Sequence, residues 1–140
     1  MLRARCAWRA IFKKGTNMPK NHYAEITPAK GTLSAAARAG GSLLAETTRA
    51  LKLTEFHFGK VFPAVYYIPR KDIDFSRLVK NESHSTHCPI KGEASYYSLK
   101  TDEGLIENIA WSYQAPLDHV AEIKGFLAFD GKAVKITRKP

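Results

Sequence analysis

A succession of short segments, each ended by glycine or proline, restricts the fold of this chain more than any other feature. The segments at 22–28 and 61–69 are rich in aromatic and β-branched residues, which is typical of strands. Glycine-containing turns predict three hairpins, over 33–47, 94–113 and 126–137. The run between the first hairpin and residue 61 has no clear pattern.

Helical spacing is present at one place. Residues 116–125 begin with proline, repeat apolar positions at helical intervals and end at Gly125, which predicts a helix. Residues 72–79 predict a single helical turn. Strands and helices do not alternate, so a Rossmann-like sheet is excluded. We therefore predict a mainly β fold with one α-helix, in the form of a small twisted, partly closed antiparallel sheet.

The positive charge is concentrated at the start of the chain. The formal net charge is +9, and residues 1–17 supply five basic side chains and no acid. Elsewhere acids and bases are interspersed, whereas nucleic-acid binders concentrate bases on one face, so we expect no nucleic-acid partner. Residues 1–21 are predicted to be a basic, disordered extension, with a mitochondrial-type presequence or a surface-lying helix as alternatives. Residues 22–140 are predicted to form a single domain.

Cysteine content and apolar run length indicate where the protein works. Two cysteines, Cys6 and Cys88, cannot build a disulfide framework or a four-cysteine zinc site, which favours a reducing, cytoplasmic location. No apolar run approaches the roughly 18 residues of a membrane span, so we expect a soluble protein without a membrane partner. His84, His87 and Cys88 lack a fourth metal ligand nearby, and we predict neither a metal site nor a cofactor.

Chemistry-bearing side chains are densest in the segment SHSTHCPIKGEASYY, residues 83–97. Cys88 is a candidate nucleophile and His87 its candidate base, because a neighbouring histidine or lysine favours the thiolate. Lys91 is a candidate anchor for an anionic ligand, and Gly92 permits a turn after it. The alternative is a buried, inert thiol, since adjacent residues of an extended segment point to opposite faces.

Aromatic and guanidinium groups complete the set of candidate ligand-binding residues. Strand alternation places Trp111 and Tyr113 on one face, where they form either core packing or the wall of a partly wet pocket. Arg49 and Arg70 adjoin predicted strand ends and could clamp a phosphate or carboxylate, unless they form surface ion pairs. The full ligand-binding set is Lys91, Gly92, Arg49, Arg70, Tyr67, Tyr97, Trp111 and Tyr113.

Several of these motifs together resemble the domain of unknown function 427 family. The resemblance rests on ETTRALKLTE (46–55), VYYIPRKDI (65–73), THCPIKGEASYYSL (86–99), ENIAWSY (107–113) and IKGFLAFD (123–130), in that order. It implies a β-tent fold, similar to that of B-type methionine-sulfoxide reductases. The family carries a nucleotidyltransferase-type label, but the paired aspartates of the usual metal-dependent enzymes are absent from this sequence.

Four functions remain open at this level. The first is a domain that binds a small molecule, anionic or neutral, between the His87–Cys88–Lys91 loop and the Trp111–Tyr113 strand, with or without catalysis. The second is a thiol enzyme that uses Cys88. The third is a non-catalytic interaction module, and the fourth is nucleotide transfer, which needs a carboxylate pair such as Glu46 and Asp72.

Overall fold

Eleven strands in three antiparallel sheets make up most of residues 21–140, the part of the chain that the computed structural model describes. None of these sheets closes on itself. The strands are β1 (His22–Pro28), β2 (Thr32–Ala37), β3 (Leu43–Thr47), β4 (Leu51–His57), β5 (Lys60–Val61), β6 (Val65–Tyr67), β7 (Leu78–Cys88), β8 (Gly92–Thr101), β9 (Gly104–Tyr113), β10 (Leu127–Phe129) and β11 (Val134–Lys139).

The sheets are linked through short bridges and enclose two core clusters. In one sheet β4 pairs with β1 along one edge and with β5 and β6 along the other. The second sheet runs β10-β9-β8-β7, and the third runs β11-β2-β3. Ile68 and Leu127 exchange backbone hydrogen bonds of 2.7 and 2.9 Å, which join the first sheet to the second. A purely apolar core lies where the third sheet packs, and a second, mixed core lies between the first and second sheets.

Two of the predicted hairpins are confirmed, and the terminal one is wrong. β2 pairs with β3 across the Gly40–Gly41 turn, and β8 pairs with β9. β10 and β11 do not pair with each other: β10 joins β9 and β11 joins β2. The turn at 130–133 forms as expected, yet it sends the chain from one sheet to another, so that Val134 is buried in the apolar core.

The run without a clear pattern is a regular strand. β4 pairs with all seven residues of β1 and also with β5 and β6. Its inward positions hold Leu53 and Glu55, and its outward positions hold Lys52 and Phe56. Because a charge stands where a strand normally buries an apolar residue, the sequence lacks the alternation that identifies strands.

Helical structure is limited to short 3-10 segments in the described part of the chain. The predicted helix at 116–125 is a 3-10 segment, Asp118–Ile123, kinked at Val120, which has φ −129° and ψ 28°. Its preceding residue, Leu117, gives its N–H to the Lys91 carbonyl and provides no side-chain cap. The predicted turn at 72–79 is instead two 3-10 segments, Arg70–Asp72 and Phe75–Arg77.

The mainly β class is therefore confirmed, with helical content reduced to 3-10 turns. None of the helical segments described is long and apolar enough to cross a membrane. The predicted basic extension falls almost wholly on residues 1–20, which lie outside the described residues.

Candidate functional site

The mixed core contains the largest group of sequence-predicted site residues. It lies between β4 and β6 of the first sheet and β8 and β9 of the second. Its buried members include Leu53, Tyr67, Cys88, Ile90, Tyr96, Trp111 and Tyr113, with Val120 and Ile123 of the 3-10 segment closing one side. Three polar or ionisable side chains are buried nearby: those of His22, Glu55 and Lys91.

A tight turn between β7 and β8 brings Lys91 inward. The N–H of Lys91 donates to the Cys88 carbonyl at 3.2 Å, and Gly92 follows with φ +108°, a conformation that favours glycine. A Cβ at Gly92 would lie 3.3 Å from the Ala115 carbonyl oxygen, so the turn and the 115–117 backbone are in close contact. The turn is held further by His119, whose Nε2 donates to the Ile90 carbonyl at 2.8 Å.

Lys91 is one end of a buried network of ionisable groups. Its Nζ lies 3.3 Å from Glu55 Oε1, and His22 Nε2 lies 2.8 Å from Glu55 Oε2. The exposed side-chain fractions are 0% for Lys91, 5% for Glu55 and 1% for His22. Burial lowers the pKa of the His22 imidazole below its ordinary value, although the Glu55 carboxylate acts in the opposite direction. Since a carboxylate only accepts, the neutral ring donates from Nε2.

Aromatic groups line the other side of the lysine. Trp111 Nε1 donates to the Tyr67 hydroxyl at 3.3 Å, which links β9 to β6. Lys91 Nζ lies 5.9 Å from the centre of the Tyr113 ring, at the outer limit of a cation–π contact. Burial raises the pKa of the Tyr67 hydroxyl, which stays protonated, while the nearby positive charge of Lys91 lowers that pKa. Tyr67 and Tyr113 thus lie near Lys91, and Trp111 is joined to this group through Tyr67.

Cys88 and His87 occupy opposite faces of β7. Cys88 is 2% exposed and belongs to the mixed core. The His87 side chain is 63% exposed and pairs with Glu93 at 2.9 Å. The structure therefore does not bring His87 to the thiol as a general base, because successive residues of a strand point to opposite faces.

Arg70 and Tyr97 form a separate group on the surface of the apolar core. The Arg70 guanidinium lies 4.5 Å from the Phe75 ring centre and donates to the Tyr97 hydroxyl at 3.2 Å. Tyr97 belongs to the apolar core and is 7% exposed. The prediction that these two residues share a pocket with Lys91 is not matched by their positions.

Arg49 lies in a third place, an open cleft of about 700 Å³ whose lining includes Glu46 and Asp72. Arg49 Nη2 donates to Asp72 Oδ1 at 2.8 Å, and the Thr47 hydroxyl donates to Asp72 Oδ2 at 2.6 Å. Both hydrogen bonds lower the pKa of the Asp72 carboxyl, and the one from Thr47 has the larger effect. Both carboxylate oxygens of Asp72 thus have protein partners.

The family of this chain follows from a match to one family model. The model of the family described as Domain of unknown function (DUF427), which carries the label NTP_transf_9, matches residues 26–139. The chain belongs to the DUF427 family. A search of curated proteins found no match.

The family match includes Glu55 and Lys91 but starts four residues after His22. Sequence reasoning missed both His22 and Glu55. The available signal was the position of Glu55 two residues after Leu53, on the face of β4 that the core covers. His22 gave no local signal, because its burial depends on the pairing of β1 with β4.

The DUF427 label raises the question of metal-dependent nucleotide transfer. Among residues 21–140, no group of three or more His, Cys, Asp or Glu side chains is arranged to hold a metal ion. Glu46 and Asp72 do line one cleft, which brings together the carboxylates that such a reaction would need. Asp72 is already held by Arg49 and Thr47, however, and Glu46 accepts from Ser34 at 3.2 Å.

Proposed function

We propose that this DUF427 protein binds a small molecule with an anionic group at the mixed core, with Lys91 as its electrostatic anchor. The observation that carries the proposal is the burial of Lys91 together with its partner Glu55. Removing two charges from water costs more than their attraction usually returns, so a buried ion pair adds little to stability. Such pairs are common at functional sites, where perturbed ionisable groups are needed.

The neighbouring groups fit recognition of a polar ligand. Flat apolar surface is supplied by the rings of Tyr67, Trp111 and Tyr113. The Tyr67 hydroxyl and the Trp111 indole N–H add hydrogen-bonding groups to this surface. Glu55 has one oxygen on Lys91 and one on His22, so an anion that displaces it from Lys91 leaves it paired with the histidine. The Glu55–His22 pair can then take up a proton that the ligand gives up, which provides the site with the means for acid–base chemistry.

Entry to the site requires one wall to move, because the principal side chains are fully buried. The 3-10 segment Asp118–Ile123 closes one side of the mixed core with Val120 and Ile123. Its contact with the Lys91 turn includes hydrogen bonds from Leu117 N–H to Lys91 and from His119 to Ile90. We propose that displacement of this segment admits the ligand.

The test is thermal unfolding in the presence of a ligand panel. The panel contains small carboxylates, phosphate monoesters, methionine sulfoxide, and nucleoside triphosphates with and without Mg²⁺. A ligand at a hundredfold excess over its Kd stabilises the folded state by about 2.7 kcal/mol. We expect at least one anionic compound to do so with the wild type and to have no effect on Lys91→Met/Glu55→Leu, which removes both charges together.

Lys132→Met is the matched control, because Lys132 is an exposed lysine on the turn after β10. It should respond to the ligand as the wild type does. A panel without any response, or a response that survives in the double variant, argues against the Lys91 site. A response restricted to nucleoside triphosphates with Mg²⁺ would favour nucleotide transfer instead.

Thiol chemistry at Cys88 is the second candidate, and its position in the same core favours it. Cys88 lies in the same buried cluster as Tyr67 and Trp111. In a Cys6→Ser protein, the alkylation rate of Cys88 can be followed against pH. Half-maximal labelling well below the ordinary thiol pKa of about 8.5 supports a stabilised thiolate. Labelling that becomes fast only on denaturation identifies Cys88 as structural.

A further inference from the structure

The sheet formed by β1, β4 and β5 buries ionisable side chains and turns aromatic ones outward. Tyr23 pairs with Phe56, and Phe56 pairs with Val61, so these three side chains share one face. The Tyr23 and Phe56 rings stack at 4.8 Å. This face is opposite to the one that carries Glu55, because side chains alternate along a strand. Val61 is 59% exposed.

A two-residue turn at the end of the same sheet presents a further aromatic side chain. Phe58 and Gly59 connect the paired residues His57 and Lys60, and both have positive φ, 51° and 79°. Such turns favour asparagine or glycine at the first position, and a bulky side chain there is strained. Phe58 is nevertheless present and 65% exposed. The His57 ring meets the Phe58 ring edge-on at 4.5 Å, but this contact leaves most of Phe58 exposed. Since the turn itself disfavours phenylalanine, we attribute its presence to an external contact.

The most basic part of the chain joins the body beside this turn. The Phe58 N–H donates to the Asn21 carbonyl at 2.6 Å, so the residue that follows the first twenty lies at the turn. Those twenty residues contain six lysines and arginines and no acid, whereas the other 120 carry a formal charge of only +3. Lys60, exposed on the turn, has the same sign.

We propose that Tyr23, Phe56, Phe58 and Val61, here called the aromatic tip, dock on an anionic lipid surface. Exposed aromatic side chains enter the interfacial region of a bilayer, and adjacent basic residues are attracted to acidic headgroups. Charge complementarity selects this occupant over a neutral one. The expectation of no membrane partner came from the lack of a spanning segment, and a peripheral contact needs none. The proposal is independent of the Lys91 site.

Co-sedimentation of the full chain with vesicles tests the proposal. The vesicles are phosphatidylcholine alone and a phosphatidylcholine–phosphatidylserine mixture, at low and physiological salt. We expect the wild type to sediment with the mixture only, and more weakly at higher salt. Phe58→Asn should reduce binding roughly tenfold, since it removes a partly inserted ring. Because asparagine suits the turn, this variant should unfold at the same or a higher temperature than the wild type.

Leu105→Asn is the matched control. Leu105 is 56% exposed in the β8–β9 hairpin and lies outside the aromatic tip, so its replacement should leave vesicle binding unchanged. Equal binding to both vesicle types, or Phe58→Asn binding as the wild type, overturns the proposal. So does a concentration-dependent dimer that Phe58→Asn abolishes, which would assign the tip to a second copy. Retention of single-stranded RNA without vesicle binding would likewise replace the lipid surface.

Discussion

The two cores of this protein differ in the side chains that they bury, although the sheet β10-β9-β8-β7 contributes to both. In the apolar core, Leu33, Leu44, Ile109 and Val134 are almost completely buried, and its buried members carry no ionisable group except the Tyr97 hydroxyl. The mixed core buries a lysine, a glutamate and a histidine beside four aromatic rings. The first core gains stability from apolar area. In the second core, burying charged groups offsets part of that stabilisation. This cost is the reason for proposing that the charged groups have a functional role.

Breaking the buried pair is expected to have the largest effect. Lys91→Met leaves Glu55 as a buried charge without its lysine, which should destabilise the protein by about 3–5 kcal/mol. Lys91→Met/Glu55→Leu should recover part of that loss, because both charges are then absent, although His22 Nε2 loses Glu55 as its acceptor. Urea unfolding of both variants and of Glu55→Leu measures the difference. A double variant as unstable as the sum of the two single variants would mean that Lys91 and Glu55 are not energetically coupled, which contradicts this interpretation.

Truncating the apolar core should cost slightly less and leave the charged groups unaffected. Leu44 is 0% exposed, and Leu44→Ala should reduce the free energy of unfolding by about 3 kcal/mol through lost contacts and a cavity. The pH dependence of stability should stay as in the wild type. A changed pH dependence would show that the two cores are coupled and cannot be treated as energetically separate.

The turn that carries Lys91 should be more sensitive than a distant turn of similar geometry. Gly92 and Gly104 have φ +108° and +121°, so alanine at either strains the backbone by about 1–3 kcal/mol. Only at Gly92 would the new Cβ meet a neighbour, the Ala115 carbonyl oxygen at 3.3 Å. We expect Gly92→Ala to lower the melting temperature more than Gly104→Ala. Equal effects would mean that the 115–117 backbone yields easily.

The smallest expected effect is the acid sensitivity that His22 gives to the mixed core. Burial lowers the pKa of His22 from 6.5, so the unfolded chain binds more protons in the window below that value. Stability is therefore fully present above about pH 6.5 and falls as the pH decreases toward the folded-state pKa. His22→Gln should flatten this part of the stability curve. Unfolding of the wild type and the variant measured at several pH values tests this.

The sequence was informative where the local pattern and the tertiary structure agree. The 33–47 and 94–113 hairpins carry their own turn residues, and their strands pair with each other. The terminal turn at 130–133 is equally clear, but a turn does not determine which strands its arms join. The kink at Val120 and the bond from Leu117 to Lys91 keep residues 118–123 from forming an α-helix, and neither is visible in the sequence.

The candidate site was predictable in part for the same reason. Lys91, Tyr67, Trp111 and Tyr113 come together because strand alternation and the tight turn at Gly92 direct them inward. Glu55 was not predicted, because its spacing from Leu53 is a weak indication of burial in a strand without clear alternation. The structure does not bring Arg49, Arg70 and Tyr97 to Lys91. For the two arginines, adjacency to a strand end does not specify which side of the fold the side chain faces. Tyr97 follows Tyr96 on β8 and therefore points to the opposite face.

Trp111 offers the most direct test of the claim that the mixed core is a ligand site. Its indole N–H, which donates to Tyr67 inside the core, can be followed by NMR. When a stabilising anion from the panel is added stepwise, we expect the chemical shift of this N–H signal to change until the site is saturated. The backbone amide signals of β2 and β3 should keep their chemical shifts. A Trp111 signal that does not move, with shifts confined to the Arg49 cleft or the apolar core, would contradict the account.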